Sequence, residues 1–543
     1  MEKPHAIVFP IPLQGHINPM MMLAQHLNSY GIRVTFLLTE RTLVVLQKHN
    51  ISNANERMFK GCVIKSSCKT THNDNILYDN IANCLKDMDE DGCGNCEFDE
   101  SNLPPIEFET LPDDSSSLSG TTVHHSVPIS EAVLCFLDSM SLVRKKLEEI
   151  LKGLLKKGHP ATCIVADSFV PWTQDVANKF GIPRIEFWSS SATVYSMGYH
   201  IPSLIDGGYL PIQAGMDDDF SIDIIPGLAP LKLVDFFYTH AVSSPVFELI
   251  SNAFSRAKEA QSVLVNSFYD LEKDIIDAMH KEGVSIAPIG PLIPLQTSRE
   301  HAIKMQRGEE ILCVPSMSLY ADEHEDCLAW LDTQPIKSVI YVSFGSMASL
   351  SAEEIQELII GLDASQQPYL LVIRPDMVFG SRTCLASGKG HICKWAPQIQ
   401  VLGHQAIAGF LTHCGWNSIM EGLFMGVPMI GCPLEAEQHT NMKCLRDEWK
   451  IAIGLDQFQS DYQRELLNSE RLQEKRVKIK QELVERAVRA LMQEEIGVTL
   501  RLRMQEIQSV ARSAAHMKVF AIQKIFDKPQ LSCKVSIEDA RLT

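Results

Sequence analysis

The stretch of residues 395–438 reads WAPQIQVLGHQAIAGFLTHCGWNSIMEGLFMGVPMIGCPLEAEQ and decides the fold. Near its centre, an apolar strand-like run around Phe410 is followed by Gly415, which permits a tight turn. Asn417 and Ser418 come next, and both residue types favour the start of a helix. A helix that begins there directs free backbone N–H groups and its positive dipole end at the turn. The pattern therefore predicts an anion site, most naturally for a phosphate.

The other polar and aromatic residues of this stretch fit a nucleotide sugar around that phosphate. His413 lies in the turn and can donate a further hydrogen bond to the anion, and Trp395 offers a flat face for a base. Glu421 lies on the same helix face as Asn417. A carboxylate at that place can accept hydrogen bonds from ribose hydroxyls. Glu437 and Gln438 pair a carboxylate with an amide, which can bind vicinal hydroxyls. These residues predict a sugar nucleotide as the ligand.

The whole stretch resembles the signature box of the plant family 1 UDP-dependent glycosyltransferases. An ordinary strand–helix unit would explain its glycines and prolines, but would not require Trp, His, Glu and Gln at these spacings. The matching positions are Trp395, Ala396, Pro397, Gln398, Val401, Leu402, His404, Gly409, Phe410, Thr412 to Ser418, Glu421, Gly426, Val427, Pro428, Pro433, Glu437 and Gln438. The resemblance implies that a UDP-sugar is bound by Ser346, Trp395, Ala396, Gln398, His413, Gly415, Trp416, Asn417, Ser418, Glu421, Glu437 and Gln438.

Strand-like apolar runs alternate with amphipathic helices in two series, one starting at His5 and one at Ser338. Such alternation predicts doubly wound parallel sheets, with ligands at the carboxyl ends of the strands. The resemblance implies the α/β GT-B fold, in which two Rossmann-like domains face each other across a cleft. We expect an acceptor-binding domain over 1–290, with a variable insert at 60–105, and a linker over 291–326. A UDP-sugar domain over 327–500 and a C-terminal helix and tail over 501–543 are expected to follow.

His16 follows the first predicted strand in the run PIPLQGHINP, residues 10–19. In that run Pro19 is suited to open a helix, predicted over residues 19–30. An imidazole titrates near neutral pH and can take a proton from a hydroxyl, although a loop histidine that caps a helix is the plainer interpretation. Asp167 ends a buried strand and can orient such a histidine, or serve as a helix N-cap. The run resembles the N-terminal motif of the family, and the resemblance implies that His16 is the general base and Asp167 its orienting acid.

The resemblance also implies the reaction. It is an inverting transfer of glucose from UDP-glucose to a hydroxyl of a small lipophilic acceptor, a plant secondary metabolite or hormone, giving a β-glucoside. In the family, a terminal Gln such as Gln438 goes with UDP-glucose. N–H donors and a helix dipole can receive the charge of the departing diphosphate, and no DxD-type motif is placed for a metal ion. We therefore expect no metal and no other cofactor.

Two other classes of protein compete with a transferase. One is a catalytically silent relative that binds a UDP-sugar or a metabolite as a sensor, which the intact His16, Asp167, Glu437 and Gln438 disfavour. The other is a nicotinamide-dependent oxidoreductase, which predicts GxGxxG after the first strand. This chain has PLQGHINP at that place.

The composition is typical of a globular protein, with 543 residues of which 45% are hydrophobic and 21% charged. A net charge of −18 disfavours nucleic acid and anionic membranes as partners. There is no run of about 18 apolar residues for a membrane span, and the N-terminus does not resemble a signal peptide. Fifteen cysteines, an odd number, fit reduced thiols. We expect a cytoplasmic monomer whose ligands are a UDP-sugar and a small acceptor.

Several segments depart from the family pattern or leave alternatives open. The 60–105 insert is either a polar loop or a zinc site. The segment of residues 379–390, just before the signature box, is short and polar compared with the family. The C-terminal segment lacks the small-residue turn common in the family, so the docking of the last helix is open. The large side chains and hydroxyls of residues 187–191 and Tyr195 fit an acceptor pocket or the core equally. The candidate zinc ligands are Cys62, Cys68, His72, Cys84, Cys93 and Cys96.

Overall fold

The computed structural model describes twelve ranges of the chain: residues 4–40, 42–43, 62–64, 106–112, 129–210, 221–232, 235–236, 245–294, 327–346, 350–374, 389–458 and 478–526. Most of the 60–105 insert, and with it every candidate zinc ligand except Cys62, lies outside these ranges. Residues 379–388 and the tail from residue 527 also lie outside them. Within the described ranges, no helix is long and apolar enough to cross a membrane.

The first half of the described chain builds an eight-stranded parallel sheet in the order β10-β9-β6-β5-β1-β2-β4-β3, with a separate antiparallel pair β7-β8. The strands are β1 (His5–Phe9), β2 (Arg33–Thr39), β3 (Cys62–Ile64), β4 (Ile106–Leu111), β5 (Cys163–Asp167), β6 (Arg184–Trp188), β7 (Ser221–Ile222), β8 (Leu231–Lys232), β9 (Ser262–Val265) and β10 (Ile286–Pro288). The helices are α1 (Gln14–Ser29), α2 (Ile129–Lys156), α3 (Thr173–Phe180), α4 (Ala192–Tyr199), α5 (Ile201–Asp206), α6 (Pro245–Ala253) and α7 (Lys273–Lys281).

In the second half, the described residues build a six-stranded parallel sheet in the order β13-β12-β11-β14-β15-β16. Its strands are β11 (Val339–Ser343), β12 (Tyr369–Val372), β13 (Gly390–Cys393), β14 (Ile407–Thr412), β15 (Met429–Gly431) and β16 (Ala452–Gly454). Its helices are α8 (Cys327–Asp332), α9 (Ala352–Ser365), α10 (Gln398–Gly403), α11 (Trp416–Met425), α12 (Gln438–Lys443) and α13 (Gln481–Gln493). Two doubly wound parallel sheets confirm the predicted class of fold.

Each sheet is buried on both faces because alternate residues of its strands enter different hydrophobic cores. In β1, Ala6 and Val8 pack with α1 on one face, whereas Ile7 packs with α2 on the other. This double coverage explains why the strands read as continuous apolar runs. Every residue of β1, β5, β11 and β14 is buried. Polar groups that follow these strands are therefore held on a rigid scaffold.

The last helix, α14 (Glu495–Phe526), packs against both sheets. Met504 and Ile507 join the core beside β14, whereas Ile522 and Phe526 join the core beside α1. The sequence left the docking of the last helix open. In the structure, α14 crosses from the second sheet back to the first. The predicted boundary between residues 500 and 501 falls inside this helix, and the domain limits stay predictions.

Candidate functional site

His16 and Asp167 meet at the carboxyl edge of the first sheet. Nδ1 of His16 lies 2.7 Å from Oδ2 of Asp167, the last residue of β5. The other carboxylate oxygen, Oδ1, accepts from the backbone N–H of Phe169 at 3.0 Å. An ionised carboxylate only accepts hydrogen bonds, so Nδ1 carries the proton and Nε2 is the basic nitrogen. With both of its oxygens bonded, the carboxylate fixes the plane of the imidazole.

The prediction that Pro19 opens the first helix is wrong. Helix α1 already begins at Gln14, so His16 belongs to its first turn and Pro19 lies inside it. The rule that places proline at the first helical position fails here because residues 14–16 adopt helical conformation ahead of the proline. The positive end of the helix dipole therefore lies at His16.

The charges around His16 favour its protonated form. Burial lowers the pKa of His16, but the charge of Asp167, its hydrogen bond and the charge of Glu437 together raise it above its ordinary value of 6.5. Ser189 adds a hydroxyl whose Oγ lies 3.3 Å from the same Nδ1. An imidazole in this setting is a stronger base than a free histidine.

The strand, turn and helix that the sequence predicts around Gly415 are present, but the backbone of the turn differs from the expectation. Helix α11 begins directly after Gly415, yet Gly415 has an ordinary φ of −66°. The left-handed residue is Cys414, with φ 65°. A Cβ on Gly415 would lie 2.3 Å from Nε2 of His413, and a Cβ on Gly345 would lie 2.6 Å from the same atom. Both glycines are therefore needed for room around the His413 ring, and the expected role of Gly415 in the turn is wrong.

His413 is neutral at physiological pH. Burial, followed by the positive charge of Arg374, lowers the pKa of His413 to about 4 against an opposing hydrogen bond at Ser343. A neutral imidazole can still donate one N–H to a phosphate. The cation of the site is Arg374, which is almost fully buried and donates to the backbone oxygen of Gly345.

Four polar side chains form one network at the start of α11. Nε2 of Gln398 donates to Oγ of Ser418 at 2.9 Å and to Oε2 of Glu421 at 2.8 Å. Tyr341, buried in β11, donates to Oε1 of Gln398 at 3.2 Å. Burial raises the pKa of Glu421 to about 7, although the hydrogen bond from Gln398 opposes it. The structure thus joins three of the predicted donor-binding residues through one amide.

Glu437 and Gln438 lie at the start of α12, and Glu437 is close enough to His16 for their charges to interact. Oε1 of Gln438 accepts from the backbone N–H groups of Leu434 at 2.9 Å and Glu435 at 3.1 Å. The Nε2 group of the amide is therefore the part suited to a sugar hydroxyl. Burial raises the pKa of Glu437, and its charge interacts with His16.

The remaining predicted donor-site residues fall into different environments. Trp416 is buried, and its Nε1 donates to the backbone oxygen of Asn266 at 2.7 Å, so its indole is occupied within the protein. Ala396 is also buried in the core. Trp395 and Ser346 are half-buried. Asn417 turns its amide towards the first domain, where it donates to Gly15.

Sequence reasoning missed Asn266 and Arg374, and it did not connect Ser189 with His16. Each follows the last residue of a strand by one or two positions: β6 ends at 188, β9 at 265 and β12 at 372. The rule that ligands lie at the carboxyl ends of parallel strands would have identified all three as candidates. Tyr341 carried no such signal because it lies within a strand.

The large side chains near Phe187 belong to the core, which settles the alternative left open by the sequence. Phe187 and Tyr195 are fully buried and Trp188 is nearly so. The hydroxyl of Tyr195 donates to Oε1 of Glu186 at 3.0 Å, and Glu186 also binds Arg184. These residues therefore belong to the packed interior of the first domain.

Among the described residues, no group of three His, Cys, Asp or Glu side chains could hold a metal ion.

The chain is similar to known proteins over most of its length. A family model described as UDP-glucoronosyl and UDP-glucosyl transferase matches residues 267–468. The chain is 30% identical to (R)-mandelonitrile beta-glucosyltransferase of Prunus dulcis, with 98% of each chain covered. It is 33% identical to 7-deoxyloganetin glucosyltransferase of Catharanthus roseus, over 86% of this chain and 87% of the relative.

The fold is also found among solved structures. Phytolacca americana UGT2, solved with UDP-2fluoro-glucose and pterostilbene, superposes with a TM-score of 0.69. It is 24% identical, and 97% of this chain and 99% of that chain are covered. This likeness confirms the predicted GT-B fold. The curated relatives confirm the predicted enzyme class, a UDP-dependent hexosyltransferase, and glucosyl transfer as its main activity. The chain belongs to the plant family 1 UDP-dependent glycosyltransferases.

Proposed function

We propose that His16 is the general base of an inverting glucosyl transfer from UDP-glucose to a hydroxyl of a small lipophilic acceptor. The observation that carries this proposal is the 2.7 Å hydrogen bond between Nδ1 of His16 and Asp167. It leaves Nε2 as the basic nitrogen, and the buried carboxylate stabilises the imidazolium that forms.

The chemical step is a single displacement. The acceptor hydroxyl gives its proton to Nε2 of His16, and its oxygen forms a bond to the anomeric carbon of glucose. The bond from that carbon to the diphosphate oxygen breaks, with oxocarbenium character in the transition state, and UDP takes the electron pair. Attack from the face opposite UDP converts the α-linked donor into a β-glucoside.

The leaving diphosphate needs donors that are already in place. The N-terminal N–H groups of α11, the neutral His413 and the hydroxyls of Ser346 and Ser418 supply them. The buried Arg374 provides a positive charge that acts on His413. We propose that these groups receive the charge without a metal ion, so activity should survive a strong chelator.

The sugar that we propose is glucose, and the acceptor is a small lipophilic molecule with a hydroxyl group. The family resemblance favours glucose, because a terminal Gln such as Gln438 goes with UDP-glucose there. With Oε1 bonded to Leu434 and Glu435, the Nε2 group of Gln438 is the part that can donate to a sugar hydroxyl. The relatives are named for mandelonitrile and 7-deoxyloganetin, so we propose these two compounds as the first acceptors to test. That the protein is a monomer and lies in the cytoplasm stays a prediction from the sequence.

The test is UDP release from UDP-glucose with a panel of plant phenolics and terpenoids that includes these two compounds. Acceptor-dependent release, a β-anomeric product by NMR and insensitivity to chelator are the expected results. An α-anomeric product would contradict inversion. Binding of UDP-glucose by calorimetry without release for any acceptor would favour the silent relative instead. UDP-galactose, run in parallel, tests the preference assigned to Gln438.

A further inference from the structure

The side-chain amide of Asn417 bridges the two domains. Its Nδ2 donates to the backbone oxygen of Gly15 at 2.9 Å, across 402 residues of sequence. Its Oδ1 accepts from Nδ2 of Asn266 at 3.4 Å. Asn417 belongs to the first turn of α11 in the donor domain, and Gly15 is the residue directly before His16. One amide thus connects the donor turn to the helix that carries the base.

The acceptor of this bond exists because of Pro19. In an α-helix the oxygen of residue 15 would accept from the N–H of residue 19. Pro19 lies inside α1 and has no N–H. The Gly15 oxygen therefore lacks its usual helical donor, and Asn417 supplies a replacement from the other domain. Leaving such a carbonyl unsatisfied in a partly buried site is costly.

Asn266 fixes the orientation of this bridge. It is almost fully buried and directly follows β9. Its Oδ1 accepts from the backbone N–H of Leu292 at 2.9 Å, so its Nδ2 must point towards Asn417. Its backbone oxygen accepts from Nε1 of Trp416 at 2.7 Å. These contacts hold Asn417 and its neighbour against the end of the first sheet.

We propose that Asn417 is a positioning residue that sets the His16 helix against the donor turn through the Gly15 oxygen, with Asn266 as its support. This inference rests on the proposed role of His16 as base. A displacement of the base relative to the anomeric carbon by a fraction of an ångström lowers the rate of proton transfer and attack. The bridge therefore contributes to kcat. This contribution is separate from any contact that Asn417 makes with the donor anion.

A double-mutant cycle between N417A and P19A tests the bridge. The P19A change restores an N–H that can donate to the Gly15 oxygen within the helix, so the bridge matters less in that background. We expect N417A to lower kcat roughly 10-fold or more alone, but less than about threefold in the P19A background. Equal losses in both backgrounds, with a parallel loss of UDP-glucose affinity, would overturn the proposal in favour of an anion contact only.

A second variant keeps the test decisive if P19A does not fold. N266A removes the support while leaving every residue of the donor turn unchanged, and we expect lower kcat with UDP-glucose affinity unchanged within about threefold. The N266A/N417A double variant should be no slower than N417A alone, and additive losses would contradict the bridge. N252A, which alters an exposed asparagine of α6, is the matched control. If H16A were fully active, the base assignment would fail, whereas the cycle would still report on the bridge.

Discussion

Nδ1 of His16 lies 2.7 Å from Oδ2 of Asp167, although 151 residues separate them in the sequence. The side chain of His16 is 17% exposed and that of Asp167 only 1%. His16 is thus open to a substrate, whereas Asp167 is shielded from water. In this arrangement a carboxylate orients the imidazole and stabilises its protonated form most effectively. Asp167 ends β5, and His16 follows the adjacent parallel strand β1, which explains how the fold brings them together.

Asp167→Asn keeps the shape of the side chain and removes its charge. We expect kcat to fall by about 10²- to 10⁴-fold, because the tautomer and the imidazolium both lose their partner. The acidic limb of the kcat/KM profile should lie above 6.5 in the wild type, since Asp167 raises the pKa of His16. It should move to lower pH in the variant. Asp175→Asn, at an exposed carboxylate, is the control. An unchanged limb would contradict the pairing.

Gly415→Ala should impair UDP binding through His413. The added Cβ would lie 2.3 Å from Nε2 of His413, while the backbone φ of −66° is ordinary for alanine. Any loss therefore comes from displacement of the ring, and we expect UDP affinity to fall roughly 10-fold or more, the cost of about one lost hydrogen bond. Gly153→Ala has nothing within 4 Å of the new Cβ. It should leave binding intact and raise stability by about 0.5–1 kcal/mol. Normal UDP binding by Gly415→Ala would disprove the explanation.

Glu421 should make the affinity for UDP-glucose depend on pH. Its pKa is raised to about 7, and the ionised form is the better acceptor for ribose hydroxyls. Affinity measured by calorimetry should therefore increase as pH rises through about 7. UDP-glucose is the suitable ligand because its diphosphate diester does not titrate there. Glu421→Gln should bind with little dependence on pH, and a variant that retains the wild-type slope would exclude this carboxyl as the source.

Lys518→Met should stabilise the protein. Lys518 is buried in α14, where Nζ donates to the oxygen of Pro291, and burial lowers its pKa to about 7. Between that value and the unfolded pKa of about 10.4, the unfolded chain holds a proton that the folded protein lacks. Wild-type stability therefore rises with pH across this window.

The methionine removes that proton linkage but leaves the Pro291 oxygen without its donor, so we expect a net gain of about 2 kcal/mol near pH 7. Thermal unfolding should show a gap between variant and wild type that narrows at about pH 9.5. A constant gap, or a less stable variant near pH 7, would mean that the lysine is charged in the folded state.

Much of the fold, and the backbone arrangement of the candidate donor site, could be predicted because the signals are local. Continuous apolar runs predicted the strands, and the spacing within residues 395–438 predicted the strand, turn and helix around Gly415. The start of α1 was missed because Pro19 is tolerated inside the helix, where its missing N–H is offset by Asn417, which is distant in sequence. The roles of Gly415 and Tyr195 depend on the His413 ring and on Glu186. Such contacts across the fold cannot be derived from local patterns.

The most direct test of the central claim compares wild type with His16→Ala at saturating UDP-glucose. The measurement is acceptor-dependent UDP release, with UDP-glucose affinity determined by calorimetry on the same preparations. If Nε2 of His16 takes the acceptor proton, the variant should bind UDP-glucose normally and release UDP at least about 100-fold more slowly. Release at the wild-type rate by the variant, with any acceptor that the wild type uses, would contradict the account.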